Sequence, residues 1–396
     1  MEKKRVLILD GGGRQCLPFM RALRKRGHYI GVVCPSRCCE GYFSRYVDKR
    51  LLWPGIHKDG EGFYLCLLDY IRNNQCDVIL PLGDVSAHLV SLHKQELSKY
   101  TAMAVPDYEI FMRAADKSWT MDYCMKNNIP CPRTYNPEKE TLERIISKVR
   151  FPVMVKPTRG IGAIGLHRLD TADKLRKHYS TIHEKYGPLI IQEFIPLSET
   201  QFQAEAFCNA QSKMVVCMVI GKPRFFPVTG GTSTCNITIK HPDIVGNVRR
   251  LLEGIKWVGS ADVDLILDPR DNVPKILEIN PRVTAGIKIG FEAGIDYADL
   301  QLRLAFGRDI PVIRDYKLGI VLRNLCLDIL WYKYSDKVAR KKTNPRFCQF
   351  FGKNIRYQTF RKDDPLPLFG FILSNIIKYR KPRRWVTKLG TDIKIS

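Results

Sequence analysis

The chain has 396 residues, a formal net charge of +24 and 45% hydrophobic residues. This composition excludes a mainly disordered chain, and at ~150 residues per domain the length predicts two or three domains. No stretch approaches the ~18 apolar residues of a spanning helix, and the apolar run near residue 6 is too short for a signal-peptide core. The 13 cysteines have no Cys-x-x-Cys spacing. We therefore expect a cytoplasmic protein whose cysteines are reduced.

The positive charge is concentrated near the C-terminus. Residues 314–396 contain 20 Lys/Arg and 6 Asp/Glu, so their net charge is +14, and the first 313 residues carry only +10. This shift predicts a domain boundary near residue 313. A large excess of cations indicates an anionic partner, such as an acidic substrate, a membrane surface or nucleic acid.

The first hundred residues alternate short apolar runs with helical patterns. Strands are expected at 5–10, 29–34 and 77–81, and helices at 15–26, 63–73 and 86–97. A β-α-β alternation predicts a parallel sheet covered by helices. The turn Gly11-Gly12-Gly13 then lies at the carboxyl edge of the sheet, where ligands bind in such folds. A tight turn without a ligand explains the three glycines equally well.

The middle of the chain has a different pattern, with strands joined by hairpins. Strands are expected at 151–156, 166–169, 189–194, 214–219, 261–267 and 275–279, with a helix at 172–183. This arrangement predicts a mixed α+β domain.

Gly160, Gly162 and Gly165 match a dinucleotide-binding fingerprint by spacing, but that motif opens a helix directly. Here the glycines are followed by a predicted strand, so the loop is interpreted as a hairpin flap whose amides cover phosphates. Lys156 lies on the strand that enters this flap, where its ammonium can neutralise phosphate oxygens. The chain has no His-Arg-Asp and no Asp-Phe-Gly, which disfavours a protein kinase.

Acidic residues recur on two predicted strands. Alternation places Asp262 and Asp264 on one face of the first strand, and Glu278 and Asn280 on one face of the second. If the strands pair, Asp264, Glu278 and Asn280 converge into a set of oxygen ligands that suits Mg²⁺. The alternative is a solvent-exposed acidic face.

Together these motifs resemble the ATP-grasp superfamily, and in particular carboxylate–amine ligases similar to the large chain of carbamoyl-phosphate synthase. The matching segments occur in the family's order over residues 1–312. They are Asp116-Lys117-Ser118, Val153-Met154-Val155-Lys156-Pro157, the flap at 159–165, Ile191-Gln192-Glu193-Phe194-Ile195-Pro196, Glu199, and Leu277-Glu278-Ile279-Asn280-Pro281-Arg282.

The resemblance implies roles for individual residues. Phosphates of ATP would be held by Lys117, Lys156 and the flap glycines Gly160, Gly162 and Gly165. Adenine would be held at the hinge by Gln192, Glu193, Phe194 and Ile195, and the ribose by Glu199. Asp264, Glu278 and Asn280 would bind Mg²⁺, while Arg282, together with Lys156, would stabilise the transferring phosphoryl group.

The resemblance also implies an α/β architecture of two parts over residues 1–312, to which the composition shift adds a third. Residues 1–115 would form a Rossmann-like pre-ATP-grasp domain, and residues 116–312 a two-lobed α+β ATP-grasp domain with a flexible lid at about 125–190. Residues 313–396 would form a basic, mostly helical C-terminal region. Because relatives often dimerise, a homodimer is one expectation for the assembly.

Three features are predicted to contact the substrate. Arg224 and the turn Gly231-Thr232-Ser233 lie between the hinge and the metal strands, and such a turn presents amides and hydroxyls to an anion. An ordinary polar loop is the alternative. Asp84 follows the strand at 77–81, where it either touches a ligand or caps the next helix.

The C-terminal region combines an apolar stretch at 366–377 with a basic stretch at 378–385. This pattern is typical of a helix in an anionic membrane interface. The alternatives are binding of an anionic saccharide or a helix packed on the core. Nucleic-acid binding is not expected, because basic and aromatic residues do not alternate across the core.

The resemblance therefore implies an ATP- and Mg²⁺-dependent carboxylate–amine ligase that forms an amide through an acyl phosphate. Its substrate could be a small acid, or a lipid-linked or cell-surface precursor met at the inner face of the membrane. The alternatives are a membrane-associated nucleotide-binding protein without turnover, and carbamoyl-phosphate-type phosphoryl transfer without amide formation.

Overall fold

The computed structural model describes residues 2–53, 55–56, 59–160, 164–196, 201–228 and 231–379, and the structural statements below concern these residues. The strands are β1 (Arg5–Ile8), β2 (Tyr29–Cys34), β3 (Lys49–Leu52), β4 (Val78–Leu80), β5 (Ala102–Met103), β6 (Thr134–Tyr135), β7 (Val153–Pro157), β8 (His167–Leu169), β9 (Leu189–Glu193), β10 (Gln201–Cys208), β11 (Met214–Phe226), β12 (Thr232–Ile239), β13 (Gly259–Asp268), β14 (Val273–Asn280), β15 (Val321–Arg323) and β16 (Ile355–Tyr357).

The α-helices are α1 (Cys16–Lys25), α2 (Glu40–Phe43), α3 (Gly60–Asn73), α4 (Asp84–Leu92), α5 (Lys94–Leu97), α6 (Tyr108–Ala115), α7 (Lys117–Lys126), α8 (Leu142–Lys148), α9 (Ala172–Tyr186), α10 (Pro242–Gly254), α11 (Lys288–Ala293), α12 (Tyr297–Ala305), α13 (Leu325–Tyr334), α14 (Lys337–Lys342) and α15 (Leu366–Tyr379). No described helix combines the length and the apolar character needed to cross a membrane.

The N-terminal sheet has the order β3-β2-β1-β4-β5, and all its pairings are parallel. This confirms the parallel sheet predicted from the β-α-β alternation. The buried apolar runs of β1 and β4 are typical of strands covered on both faces. Gly11 follows β1, and a Cβ at this position would lie 2.8 Å from the carbonyl oxygen of Val33. Close packing against β2 therefore explains the first of the three glycines without a ligand.

Two further sheets form the rest of the protein. A four-stranded antiparallel sheet has the order β6-β9-β7-β8, and α8 and α9 pack on it around buried Ile145, Leu175 and Ile182. A seven-stranded sheet has the order β14-β13-β10-β11-β12-β15-β16. Helices α6, α7 and α10 pack on one face of this sheet, in a core where Trp257 is almost fully buried. Helices α11 and α12 pack on the other face, in a core where Tyr297 is fully buried.

The composition shift at residue 313 does not coincide with the end of the large sheet. Strand β15 pairs antiparallel with β12, and β16 pairs parallel with β15, so the chain beyond residue 313 supplies two strands of that sheet. The expectation that residues 313–396 form a mostly helical region is therefore corrected: this region also contributes strands β15 and β16 to the large sheet. Each of the two strands has only three residues, which is too short for a clear alternating pattern.

A fully buried ion cluster joins this C-terminal part to the sheet. Arg224 Nη2 donates to Asp328 Oδ2 at 2.9 Å, and Arg323 Nε donates to the same oxygen at 2.8 Å. The other carboxylate oxygen accepts from Thr234 Oγ1 at 2.8 Å. All three charged side chains have 0% exposure. The cluster therefore ties α13 to β11, β12 and β15.

We predict that Asp328→Ala strongly destabilises the protein, because it leaves two guanidinium groups buried without a counter-charge. The expected loss is about 3–5 kcal/mol in the free energy of unfolding, measured by urea denaturation. Asp336→Ala is the matched control, since Asp336 only caps the exposed helix α14 and its loss should cost about 1 kcal/mol. Equal losses for the two variants would contradict this account.

Candidate active site

Strands β13 and β14 form the antiparallel hairpin that the sequence predicted. Their register sets Asp264 opposite Glu278 and Asp262 opposite Asn280. Asn280 Nδ2 lies 3.0 Å from Asp264 Oδ2 and 3.3 Å from Asp262 Oδ1. Asp262 is fully buried, so the alternative of a solvent-exposed acidic face is wrong for this position.

Lysines from separate elements surround these carboxylates. Lys117, the first residue of α7, places its Nζ 3.0 Å from Glu278 Oε2. Lys156, on β7, is close enough to Glu278 and Lys117 for both charges to act on it. The pKa of Lys156 is lowered to about 8, chiefly by burial; the carboxylate of Glu278 opposes this shift and the charge of Lys117 adds to it. The two predicted phosphate-binding lysines therefore converge on one predicted metal ligand.

Lys222, on β11, is a site residue that the sequence reasoning missed. Its Nζ lies 2.5 Å from Asp264 Oδ1. Burial lowers the pKa of Lys222, but the carboxylates of Asp264 and Asp262 outweigh it and raise the pKa overall. The signal that could have identified Lys222 was its position: it is a single lysine directly after residues 214–221, eight consecutive buried residues of the long strand β11.

The N-terminal domain contributes Asp84 to the site. Arg282 follows β14, and its Nε lies 2.6 Å from Asp84 Oδ2 at the start of α4. The cap of that helix is Gly83, so of the two options for Asp84, the helix-capping one is wrong. Asp10, two residues beyond β1, accepts hydrogen bonds from the backbone amides of Leu82 and Gly83 at 2.7 and 2.9 Å, which fixes the turn that carries Asp84.

A buried polar network supports the loop after Arg282. Gln203 Nε2 lies 2.9 Å from both Glu205 Oε1 and Thr284 Oγ1, and it also contacts Asp262 Oδ2. Thr284 Oγ1 lies 2.6 Å from Glu205 Oε1. Burial raises the pKa of Glu205 well above its usual value, and it raises that of Asp262 to about 6 with help from Asp264. The network holds the two strand faces and the Thr284 loop in one arrangement.

The hinge residues differ from their predicted roles in one respect. Gln192 is 2% exposed, and its Nε2 donates to Thr134 Oγ1 at 2.7 Å, so its side chain links β9 to β6 and is not presented to a ligand. The expectation that this side chain holds adenine is corrected, because strand alternation turns it away from the face of Glu193.

Glu193 and Phe194 have protein partners of their own, and Ile195 is buried. Glu193 accepts the backbone amide of Arg133 at 3.2 Å and pairs with Arg270 at 2.7 Å. The guanidinium of Arg168 lies 4.5 Å from the ring centre of Phe194. Any contact with adenine in this segment would therefore rely on backbone groups more than on the Glu193 carboxylate.

The glycine flap is described at its two ends. Lys117 Nζ lies 3.3 Å from the carbonyl oxygen of Gly160. Gly165 has φ +75, and a Cβ there would meet Pro157 at 2.7 Å, so both conformation and space require glycine. Gly162, and the predicted ribose ligand Glu199, lie outside the described residues.

Arg224 is not available to a substrate. Its side chain is fully buried against Asp328 and Trp331, so the prediction that it binds substrate is wrong. The register of β11 against β12 shifts on both sides of Arg224, which turns the side chain inward.

The neighbouring turn residues lie at the start of β12. Thr232 is exposed, and Ser233 Oγ lies 2.6 Å from Asn236 Oδ1. A Cβ at Gly231 would lie 2.7 Å from the carbonyl oxygen of Phe226, so this glycine is needed for a close backbone approach.

The donors around Asp264 fit a hard divalent cation. Two facing carboxylates and one amide are oxygen ligands of the kind that Mg²⁺ prefers, and Mg²⁺ usually completes its shell with water and phosphate oxygens. The described residues contain no group of three or more His, Cys, Asp or Glu side chains poised to hold a metal by themselves. Glu278 and Asp264 are each paired with a lysine, Lys117 and Lys222 respectively, so positive charge already lies beside both carboxylates.

Comparison with known proteins is consistent with this geometry. Residues 114–286 match the family model described as ATP-grasp domain. The D-aspartate ligase of Enterococcus faecium is 27% identical over 264 residues, which are 61% of this chain and 62% of that protein. The carbamoyl phosphate synthase large chain of Archaeoglobus fulgidus is 22% identical over 335 residues, which are 78% of this chain and 30% of that protein. The chain thus spans less than two thirds of the length of either relative.

Solved structures share the fold. The biotin carboxylase domain of 2-oxoglutarate carboxylase from Hydrogenobacter thermophilus, crystallised with MgADP and bicarbonate, has a TM-score of 0.69 at 13% identity and covers 81% of this chain and 74% of that chain. N5-carboxyaminoimidazole synthetase from Staphylococcus aureus has a TM-score of 0.64 at 16% identity, with 84% and 85% covered. The match to the ATP-grasp family model confirms the resemblance derived from the sequence motifs over residues 114–286.

We predict that ATP binding takes up a proton at alkaline pH, through Lys156. In the protein without ATP the pKa of Lys156 is about 8, so above that pH a large part of the protein population carries a neutral Lys156 side chain. Phosphate oxygens favour the ammonium form and raise the pKa in the complex, so affinity should fall as the pH rises from about 8 to 9.5. Calorimetry in buffers of different ionisation enthalpy measures the uptake directly.

Lys156→Arg provides the control, because a guanidinium stays protonated over this range. The variant should bind without proton uptake at the same pH. If the wild-type protein shows no uptake, or the variant shows the same uptake, the assignment to Lys156 fails.

Proposed function

We propose that this chain, an ATP-grasp protein, is an ATP-dependent ligase that joins a carboxylate to an amine. The observation that carries the proposal is the convergence of Lys117, Lys156 and Lys222 on the carboxylates of Glu278 and Asp264, beside the Arg282–Asp84 pair. Phosphoryl transfer depends mainly on positioned charge and needs little covalent chemistry from the protein.

In this proposal the lysines bind the phosphates of ATP. Lys117 and Lys156 exchange part of their interaction with Glu278 for phosphate oxygens, and Lys222 releases Asp264 in the same way. Asp264, Glu278 and Asn280 would hold Mg²⁺, which would supply positive charge against the negative charge that develops on the transferred group. The amides of the glycine flap would cover the phosphates and exclude water.

Arg282 would bind the reacting acid. A carboxylate oxygen of the substrate attacks the γ-phosphorus, the bond to the bridging oxygen breaks, and ADP leaves with that electron pair. The product is an acyl phosphate, whose negative charge Arg282 stabilises. The nitrogen of the amine then attacks the acyl carbon, inorganic phosphate leaves, and the nitrogen loses a proton.

The Arg282–Asp84 pair suggests how the substrates enter. An incoming carboxylate competes with Asp84 for the guanidinium, and the Asp84 carboxylate is then free to accept an ammonium or amine N–H. An acid that also carries an amino group satisfies both partners at once. One relative is named D-aspartate ligase, so aspartate of either hand is the first acid to test.

The test measures phosphate release for a matrix of acids and amines, followed by mass analysis of the product. We expect ADP and phosphate only with a matching acid and amine, in amounts equal to the amide formed. Lys156→Ala and Glu278→Ala should each lower turnover at least ~100-fold, since each removes a charge that acts on the phosphoryl group. Lys174→Ala, on the exposed surface of α9, is the control and should keep full activity.

Three results would contradict the proposal. If Lys156→Ala and Glu278→Ala both kept full activity, the roles assigned to these two residues would be wrong. A stable phosphorylated product without an amide would favour carbamoyl-phosphate-type transfer. Binding of ATP without hydrolysis for every acid–amine pair would favour a nucleotide-binding protein that does not turn over.

A further inference from the structure

Gln358 joins several parts of the protein at the edge of the candidate active site. It directly follows β16 and is 9% exposed, and it lies in the described part of the C-terminal region, whereas the basic stretch at 380–385 lies outside that part. Its backbone amide donates to the carbonyl oxygen of Arg323 at 3.0 Å, and its carbonyl oxygen accepts from Lys288 Nζ at 3.2 Å. The backbone of Gln358 is therefore held between β15 and α11.

The side-chain amide of Gln358 bridges two further elements. Its Oε1 accepts from Nη1 of Arg14, between β1 and α1, at 2.8 Å, and its Nε2 donates to the carbonyl oxygen of Ala285 at 3.1 Å. A guanidinium only donates and a carbonyl oxygen only accepts, so these partners determine which end of the amide faces each of them. Both ends of this buried amide are thus paired, and loss of either partner would leave a polar group buried without a hydrogen bond.

Ala285 belongs to the loop that carries Arg282. We call residues 281–287 the acid loop, because Arg282 is proposed to bind the reacting acid. Two contacts hold the backbone after Arg282: Thr284 Oγ1 lies 2.6 Å from Glu205 Oε1, and Gln358 holds Ala285. The position of the acid loop is thus set both by β10 of the large sheet and by the C-terminal region.

Gln358 also links the acid loop to the N-terminal domain. One connection between these two parts is the ion pair of Arg282 with Asp84 on α4. A second connection runs from Arg14 through the amide of Gln358 to Ala285. The N-terminal domain therefore approaches the acid loop at two points, through a charge pair and through an amide bridge.

The two N-terminal turns that make these connections are tied to each other. Gln15 Nε2 donates to the carbonyl oxygen of Leu82 at 3.3 Å, and Asp10 accepts from the backbone amide of Leu82 at 2.7 Å. These bonds join the turn that carries Arg14 to the turn that carries Asp84. Both connections therefore start from one packed edge of the N-terminal sheet.

The two connections respond differently when a substrate enters. In the proposed reaction the incoming carboxylate takes the place of Asp84 on Arg282, so the ion pair opens, whereas the amide bridge uses no group that the acid needs. We propose that Gln358 is a positioning residue for the acid: its bridge from Arg14 to Ala285 keeps the acid loop and the N-terminal domain in register while Arg282 changes partners. Gln358 acts through the acid loop and not by contact with the acid. This inference rests on the proposed function, and it gives the chain beyond residue 313 a part in the acid site.

The first test is the steady-state kinetics of Gln358→Met, which keeps the length of the side chain and removes both ends of the bridge. Because the acid must then order the loop as it binds, the KM for the acid should rise at least ~10-fold, as expected for the loss of one or two hydrogen bonds. The KM for ATP should stay within about twofold of the wild-type value, because the lysines of the site are held by other elements. Gln349→Met, at an exposed position of the same region, is the matched control and should leave both KM values unchanged.

Gln358→Glu tests whether both ends of the bridge are needed. The carboxylate can accept from Arg14, but it has no N–H for the carbonyl oxygen of Ala285 and repels that oxygen. The KM for the acid should therefore rise as it does in Gln358→Met, although the link to Arg14 becomes an ion pair.

Hydrogen exchange gives a readout that needs no turnover. The backbone amides of residues 283–287 should exchange at least ~10-fold faster in Gln358→Met than in the wild type or in Gln349→Met, while the amides of β13 keep their wild-type protection. A change confined to the acid loop separates positioning from a general loss of stability.

Several results in an active wild-type protein would overturn the inference. These are an unchanged KM for the acid in either Gln358 variant, equal rises in the KM for the acid and the KM for ATP, and unchanged exchange at residues 283–287 in Gln358→Met. A wild-type protein that turns over no acid–amine pair would instead contradict the proposed function, and the role of Gln358 toward the acid would fail with it.

Discussion

The site depends on one register: β13 runs against β14 so that Asp264 faces Glu278. Two facing carboxylates that are partly withdrawn from water repel each other, so their ionised forms require positive charge between or beside them. Lys117 and Lys222 supply it from α7 and β11, and Lys156 stands beside them with a lowered pKa. In the proposed function, the same pair of carboxylates would exchange the lysine cations for a divalent cation when ATP binds.

The remainder of the fold keeps this register in place. β10 lies between β13 and β11, which brings Lys222 within reach of Asp264. The N-terminal sheet presents Asp84 to Arg282 through a turn fixed by Asp10. The buried Arg224–Asp328–Arg323 cluster ties the C-terminal part to the start of β12, where the Gly231 turn ends. The positive charge of the chain is thus used in different ways, as buried structural cations and as site lysines.

The hairpin, the lysine strand and the parallel N-terminal sheet were predictable because each rests on a local pattern of alternation or spacing. Lys222 was not, since its partner is set by pairing across β10 and not by neighbours in sequence. The prediction that Arg224 contacts the substrate was wrong for a related reason. Register shifts beside Arg224 in β11 break the alternation from which the direction of its side chain would be predicted. Gln192 also turned inward, toward Thr134. The strands β15 and β16 are three residues long, and only their pairing to a distant edge identifies them.

The central claim is that Asp264 and Glu278 hold Mg²⁺ together with ATP, and the most direct test is the affinity for ATP with and without Mg²⁺. The account predicts that Mg²⁺ tightens ATP binding to the wild type at least ~10-fold, and that Glu278→Gln loses most of this gain. Asp271→Asn, an exposed position in the turn of the same hairpin, should retain it. ATP binding that is equally tight with and without Mg²⁺, or a Glu278→Gln variant with the full gain, would contradict the account.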